Sequence, residues 1–335
     1  MIPARILGTG SVLPGRAVPT EEVSALAYPD RDPAELIERT GIRTRWWADP
    51  GTTHASLAAE AMRLALADAG LAAGDLVRLI QLNCTGGDTL LPATANAVGD
   101  ALDLHGSCDC IDLNNACTGF LSALDLAARS VATGLHPVGI VVSELWSRHL
   151  DVADPRSFVI FGDAAAAIVV GPGGPDEGLR SSWLRNDGRL RGSVTLAHSG
   201  LTGKREIVHF GVSNQQIGRE ATDAVLTSAR TALSLAELTM DDIDWVLPHQ
   251  PNGRMLDVLA RELGIPEGKQ LRVVDEIGSV GAASIPVSLD RLWRSGRVRP
   301  GQRVLMVAVG SGISYGALVY QVGAAAPLAA AGGPA

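Results

Sequence analysis

Lysine is nearly absent from this chain: among 28 basic residues only Lys204 and Lys269 are lysines, and the rest are arginine. Cysteine is scarce too, with Cys84, Cys108, Cys110 and Cys117 the only four in 335 residues. Four thiols in so long a chain cannot form the disulfide framework of a small secreted domain. No apolar run approaches the roughly 20 residues that span a bilayer. The amino-terminal Met1-Ile2-Pro3-Ala4-Arg5 lacks the apolar stretch of a secretory signal. These absences predict a cytoplasmic protein with no membrane contact. A net charge of −8 and a pI near 5.4 also set it apart from proteins that neutralise phosphate backbones, so nucleic acid is not an expected partner.

What the chain does have is apolar mass, at 46% of residues, and self-similarity. Residues 55–83 and 222–250 share an Ala- and Leu-rich helical stretch, a short acidic turn and an apolar strand. A second pair sets the segment after Cys117 and the strand Val138 to Val142 against Ala282-Ala283-Ser284 and Val304 to Ala308. The pattern is that of a tandem duplication. Runs such as Ala165 to Val170 lack polar alternation, which predicts strands covered on both faces, and their alternation with helical stretches predicts an α/β layered fold. The loop Gly171-Pro172-Gly173-Gly174-Pro175 divides the chain into halves 1–174 and 175–322, followed by a low-complexity tail over 323–335 that reads as disordered. Residues 183–209 read as an irregular insertion that either faces substrate or is a plain surface loop.

Cys117 lies in Asp112-Leu113-Asn114-Asn115-Ala116-Cys117-Thr118-Gly119-Phe120, a strand running into a helix. A helix amino terminus and a nearby imidazole lower a thiol's pKa toward the reactive thiolate. The Cys117 N–H could also donate to a tetrahedral oxyanion. Spacing alone leaves an inert buried cysteine open, and that reading is kept for Cys84, Cys108 and Cys110. Cys108-Asp109-Cys110 has no second pair and is not read as a metal site. His249, in Pro248-His249-Gln250-Pro251-Asn252, sits at a strand end, where ligands of open α/β sheets collect, and Asn252 is placed to orient its imidazole or its loop. The glycine loop Gly310-Ser311-Gly312-Ile313-Ser314-Tyr315-Gly316 offers the Ser311 N–H as a second oxyanion donor, or is simply a tight turn.

Together these segments, with Arg39-Thr40-Gly41-Ile42-Arg43, Phe161-Gly162-Asp163 and Gly281 to Pro286, resemble the β-ketoacyl-acyl-carrier-protein synthase III family of the thiolase superfamily. The resemblance runs from Ile6 to about Val322. It implies a five-layered αβαβα fold from two duplicated halves, a homodimer, Cys117 as acyl acceptor and His249 as its catalytic partner. The family pairs that histidine with an asparagine to stabilise the enolate left when a malonyl group loses carbon dioxide, and the matching residue here is Ser279. Losing one such donor costs about 10²–10³ in rate.

The departure shifts the expectation toward an acyltransferase of secondary metabolism. Such an enzyme would move an acyl group, an aromatic polyketide among the candidates, from a carrier-protein thioester through Cys117 to a hydroxyl, an amine or another carrier. The alternative is a decarboxylating synthase that initiates chains. No bound cofactor is expected, and the donor is a phosphopantetheine-linked or coenzyme A thioester. Glu35 stands where the family's coenzyme A users place a tryptophan, which favours a carrier protein or an iterative polyketide synthase carrier domain. Arg39 and Arg156 match the family's arginines at the pantetheine entrance, and Arg254 and Arg261 a carrier-docking face. Leu91 replaces a phenylalanine of the acyl pocket. Trp146 and Trp183 are read as entrance or packing residues.

Overall fold

The computed structural model describes residues 1–323, so the tail reading, apart from Gly323, lies outside the described residues. Two five-stranded sheets organise the chain. The first contains β2 (Arg5–Val12), β3 (Arg78–Leu82), β4 (Asp109–Leu113), β5 (Val138–Glu144) and β6 (Ala164–Gly171) in the order β2-β6-β5-β3-β4. The second contains β1 (Ile2–Pro3), β7 (Gly178–Asn186), β8 (Trp245–Pro248), β9 (Arg303–Gly310) and β10 (Ser314–Gln321) in the order β1-β7-β10-β9-β8. In each sheet the strands that follow the repeated helices are parallel: β5, β3 and β4 in one, β9 and β8 in the other. The loop 171–175 joins β6 of the first sheet to β7 of the second, while β1 crosses over to pair with β7.

Two helices, α3 (Gly119–Ala132) and α6 (Ser284–Arg294), form the central layer and touch both sheets. Their apolar positions explain the placement. Phe120, Leu121, Leu124 and Ala128 of α3 and Ile285, Val287, Leu289 and Leu292 of α6 are buried in one continuous core with residues of both sheets. Burying several such side chains contributes about 1.5–3 kcal/mol each before the chain's ordering entropy is set against it. Outside the first sheet lie α1 (His54–Ala69) and α2 (Thr94–Ala101); outside the second lie α4 (Asn214–Leu235) and α5 (Gly253–Leu263). The small residues of α1 allow close approach to β2: a methyl at Gly8 would stand 2.3 Å from the Ala65 carbonyl. The result is the expected αβαβα arrangement. No helix among the described residues is long and apolar enough to cross a membrane.

Both repeated units are visible as structure. The unit α1, turn Ala73–Asp75, β3 has its counterpart in α4, turn Met240–Asp242, β8, and each turn is closed by an aspartate accepting a backbone N–H, from Ala72 to Asp75 and from Thr239 to Asp242, both at 2.8 Å. Residues 183–209 are more ordered than their sequence suggests. Their first part completes β7, and Val194–Leu196 pairs antiparallel with Val208–Phe210, three residues a side.

Candidate active site

Parallel strands deliver their carboxyl ends to a common edge, and here both sheets deliver them to the same place. Cys84 follows β3, Cys117 follows β4, Glu144 ends β5, His249 follows β8 and Gly310 ends β9. Asn114 and Asn115 build the Cys117 turn. The Asn114 Oδ1 accepts the Ala116 N–H at 3.0 Å, and the Asn115 amide donates to Ser122 Oγ at 2.9 Å. Ala116 is held at a φ of 47°, a left-handed conformation unusual for a residue with a side chain. The turn is tied to the second half through Thr118 Oγ1, which donates to the Ser314 carbonyl at 3.0 Å, and Ser314 Oγ, which donates to the Asn115 carbonyl at 3.0 Å. A methyl on Gly310 would stand 2.8 Å from the Cys117 nitrogen, so only glycine lets the glycine loop reach the thiol's own amide.

The Cys117 thiol is held well below its ordinary pKa. A side-chain hydrogen bond with Cys84 is the leading cause; burial opposes it, and the charge and hydrogen bond of His249 and the Cys117 N–H add to the lowering. The Cys84 thiol moves the other way, raised by that same contact, by burial and by the neighbouring Glu144. Charge therefore collects on Cys117. Glu144 is fully buried, accepts the Cys84 N–H at 3.2 Å through Oε2 and the Ala282 N–H at 3.1 Å through Oε1, and is pushed up to about 8, first by burial.

His249 is buried, with its N–H bonded to the Val307 carbonyl at 2.8 Å and its Nδ1 without a partner. Asn252 acts on the loop: its Oδ1 accepts the Met255 N–H at 2.8 Å and caps α5. Gln250 holds the loop as well, its N–H donating to Ser284 Oγ at 2.9 Å and its Oε1 accepting the N–H groups of Val273 and Val274. Ser279 is buried and forms an isolated parallel bridge with Phe161, its N–H on the Ile160 carbonyl at 2.8 Å and its own carbonyl accepting from Gly162 at 3.0 Å. The turn that follows it, Gly281–Ala283, packs on the Cys117 turn. The Ser311 hydroxyl donates to the Val194 carbonyl, which brings the 183–209 insertion against the glycine loop.

The remaining predicted residues lie elsewhere. Arg156 is stacked on Phe210, 4.1 Å from the ring centroid, and donates to the Val212 carbonyl at 2.6 Å, with its Nε and Nη2 buried and unpartnered. Arg39 is exposed and lines a shallow crevice with Tyr28, Arg31, Asp32, Glu35 and Leu36. Leu91 is 88% exposed beside Leu90. The basic face expected on α5 is partly neutralised, because Arg261 pairs with Glu262 at 3.1 Å and Asp257 of the same helix pairs with Arg272; Arg254 is exposed. Trp146 stacks on Phe161 at 4.5 Å and is buried, while Trp183 lies 5.8 Å from Tyr315.

All four cysteines are free, and no cluster of metal-ligating side chains occurs among the described residues. Two members of the site escaped the sequence reading: Cys84, taken as inert, and Glu144. Cys84 had a signal, since the internal repeat makes the end of its strand the counterpart of the strand end that carries His249.

Residues 111–188 match the family described as 3-oxoacyl-[acyl-carrier-protein (ACP)] synthase III, and residues 233–322 match its C-terminal region. The chain is 37% identical over 316 residues to a β-ketoacyl-[acyl-carrier-protein] synthase III of Rhizorhabdus wittichii, covering 94% of this chain and 98% of that one. A protein of the same name from Erythrobacter litoralis is 36% identical over 95% of this chain and 98% of its own. Among solved structures, a priming β-ketosynthase of a polyketide biosynthetic pathway superposes with a TM-score of 0.89 at 32% identity, covering 97% of both chains. The 3-oxoacyl-[acyl-carrier-protein] synthase III of Aquifex aeolicus gives 0.88 at 27% identity, over 95% of this chain and 99% of that one.

Proposed function

The chain belongs to the β-ketoacyl-acyl-carrier-protein synthase III family, and from that premise we propose that it transfers an acyl group from a carrier-protein thioester, through Cys117, to a hydroxyl or amine acceptor without decarboxylation. The observation that carries this reading is Ser279. By the resemblance it occupies the position of the family's enolate-stabilising asparagine, and its main chain is fixed there by the Ile160 carbonyl and the Gly162 N–H. A serine hydroxyl on its short stem does not replace an amide N–H at the same reach, so condensation loses about 10²–10³ in rate while acylation of Cys117 is spared.

In the first step the Cys117 thiolate attacks the thioester carbonyl, the oxyanion is held by the N–H groups of Cys117 and Ser311, the carbon–sulfur bond to the carrier breaks, and His249, protonated beside the thiolate, gives its proton to the departing carrier thiol and is left neutral. In the second step His249 removes the proton of the acceptor as it attacks the acyl–Cys117 carbonyl, and the Cys117 thiolate departs. The phosphopantetheine arm enters past Arg39 and Arg156, and the carrier docks at Arg254. A homodimer suits the open edge of β4 and the exposed pair Leu90 and Leu91.

The names of its relatives support a second reading more directly: a decarboxylating β-ketoacyl-acyl-carrier-protein synthase that primes chains. Intact mass spectrometry separates the two. Enzyme preloaded with an acyl thioester is challenged with malonyl-carrier protein and, separately, with a panel of amines and alcohols. Loss of the adduct only to the panel, with no carbon dioxide released, is the expected result. A ketoacyl-carrier product overturns the transfer reading and establishes the condensing one.

A further inference from the structure

We propose that His54 is a positioning residue, whose neutral imidazole clamps the loop leaving β3 onto β5 and releases that loop when it takes up a proton. The loop, residues 83–92, starts at the strand end that delivers Cys84 to the site and runs out to the exposed Leu90 and Leu91. His54 opens α1, is 2% exposed and takes no part in the acyl-transfer steps. Its ring bridges two elements. Nδ1 lies 2.9 Å from the Ser143 carbonyl on β5, and Nε2 lies 3.2 Å from Thr85 Oγ1 on the loop. The main-chain N–H groups of His54 and Ala55 donate to the Asp88 carboxylate at 2.7 and 2.9 Å, so the loop is gripped a second time at the same helix turn. From there the bonds reach the site. Asn83 Oδ1 accepts the N–H groups of Thr85 and Gly86 at 3.2 and 2.6 Å, folding the chain around Cys84, and the Cys84 N–H in turn donates to the Glu144 carboxyl that holds Ala282.

A carbonyl only accepts, so Nδ1 carries the ring proton and Nε2 is left to accept the Thr85 hydroxyl. Ser143 Oγ, 3.3 Å from Nδ1, is itself taken by the Gln81 amide at 2.9 Å. A second ring proton turns Nε2 into a donor against a hydroxyl that was donating to it, and it places a charge in a buried site. The charged and titratable groups facing the ring are Asp88 on the loop and Arg148 and His149 in the turn after β5. Burial first, then Arg148 and His149, hold the ring below the ordinary histidine range, against the pull of Asp88 and the Ser143 carbonyl. In the released loop the ring meets water and regains its ordinary value of about 6.5. Release therefore takes up a proton, and it is favoured as pH falls below about 6.5.

The test is hydrogen–deuterium exchange of the full chain, read by mass spectrometry on the peptide covering the loop and expressed as protection relative to the intrinsic exchange rate at each pH. Exchange is read without turnover, so it stands apart from whether Cys117 is acylated and from which acceptor follows. Native protection is expected to fall about tenfold between about pH 7.5 and about pH 5.5, one unit below the ordinary histidine value. His54→Gln keeps one donor and one acceptor but does not titrate, and should stay protected at both pH values. His54→Leu loses both bonds and should be unprotected at both, and at the higher pH its KM for the acyl thioester should rise about fivefold, the worth of one ordinary hydrogen bond. Native protection that does not change with pH overturns the proposal. So does a His54→Gln variant that keeps the native fall, which would place the titrating group elsewhere. A His54→Leu loop as protected as the native one, or one released with no change in KM, overturns it as well; should that variant fail to fold, the native and His54→Gln arms decide.

Discussion

In the first half of the molecule Ala116 enters the turn before α3 with a φ of 47°, and in the second half Gly281 enters the turn before α6 with a φ of 54°. The turns match bond for bond. Thr118 N–H donates to the Asn115 carbonyl at 3.2 Å, and Ala283 N–H to the Val280 carbonyl at 3.0 Å. They part at the middle residue. In the second half the Ala282 N–H is taken up by the buried Glu144 carboxyl, whereas in the first half the Cys117 N–H faces its own sulfur. Duplication thus produced two turns that collect N–H groups able to hold negative charge. One is filled by a carboxyl of the protein itself, and the other has a thiol in its place. The first also tolerates about 1–2 kcal/mol of left-handed strain at Ala116 that glycine avoids in the second.

Removing the chemical difference should have the largest effect. Cys117→Ala is expected to abolish the acyl adduct seen by intact mass and to lower turnover by about 10³-fold or more; a surviving adduct would mean that acylation lies elsewhere. Ser279→Asn gives the second turn the residue that the first has at Asn114. Measured as ketoacyl product from malonyl-carrier protein, it is expected to raise condensation by about 10²–10³, and no gain would show that Ser279 is not what limits that reaction.

The next two changes act on stability. A methyl at Gly281 would stand 2.6 Å from Trp146 Nε1 in a left-handed backbone, so Gly281→Ala should lower unfolding stability by about 2–4 kcal/mol. An unchanged urea midpoint would mean that the second turn accepts a side chain as readily as the first. The smallest effect is one of slope. Burial raises the Glu144 carboxyl from 4.5 to about 8, so across that window the folded chain holds a proton that the unfolded chain has released. Stability accordingly falls as pH rises through it and levels off above. Glu144→Gln removes this contribution, and its melting temperature should vary less than the native one between about pH 5 and about pH 8. Parallel curves would place Glu144 in its ionised form throughout.

Much of the fold was legible because its signals are local. Glycine–proline punctuation, unbroken apolar strands and the repeated helix–turn–strand unit need only near neighbours to be read, and so do Cys117 at a strand-to-helix junction and His249 at a strand end. Of the two readings given to Asn252, the one on its loop is visible as a cap, since an asparagine ahead of a helix is first of all a cap. The ion pair of Arg261 with Glu262 beside it was legible in the sequence too. The hairpin within 183–209 went unseen because three-residue strands leave little periodicity to detect. Cys84 was passed over although the repeat aligns its strand end with that of His249, because which strand it would lie beside depends on pairing order, and that is not written in either segment.

The amino-acid sequence by itself determined the elements, the duplication, the kinked turn that presents Cys117 and the residue types at each strand end. Only the tertiary structure decided which strand ends meet. The burial of α3 and α6 between two sheets brings His249 to Cys117 and Glu144 into the turn of the opposite half, while the pairing of β3 with β4 delivers Cys84 to the same edge. Local propensity acts over a few residues, whereas these contacts exist because apolar faces far apart in the chain leave water together.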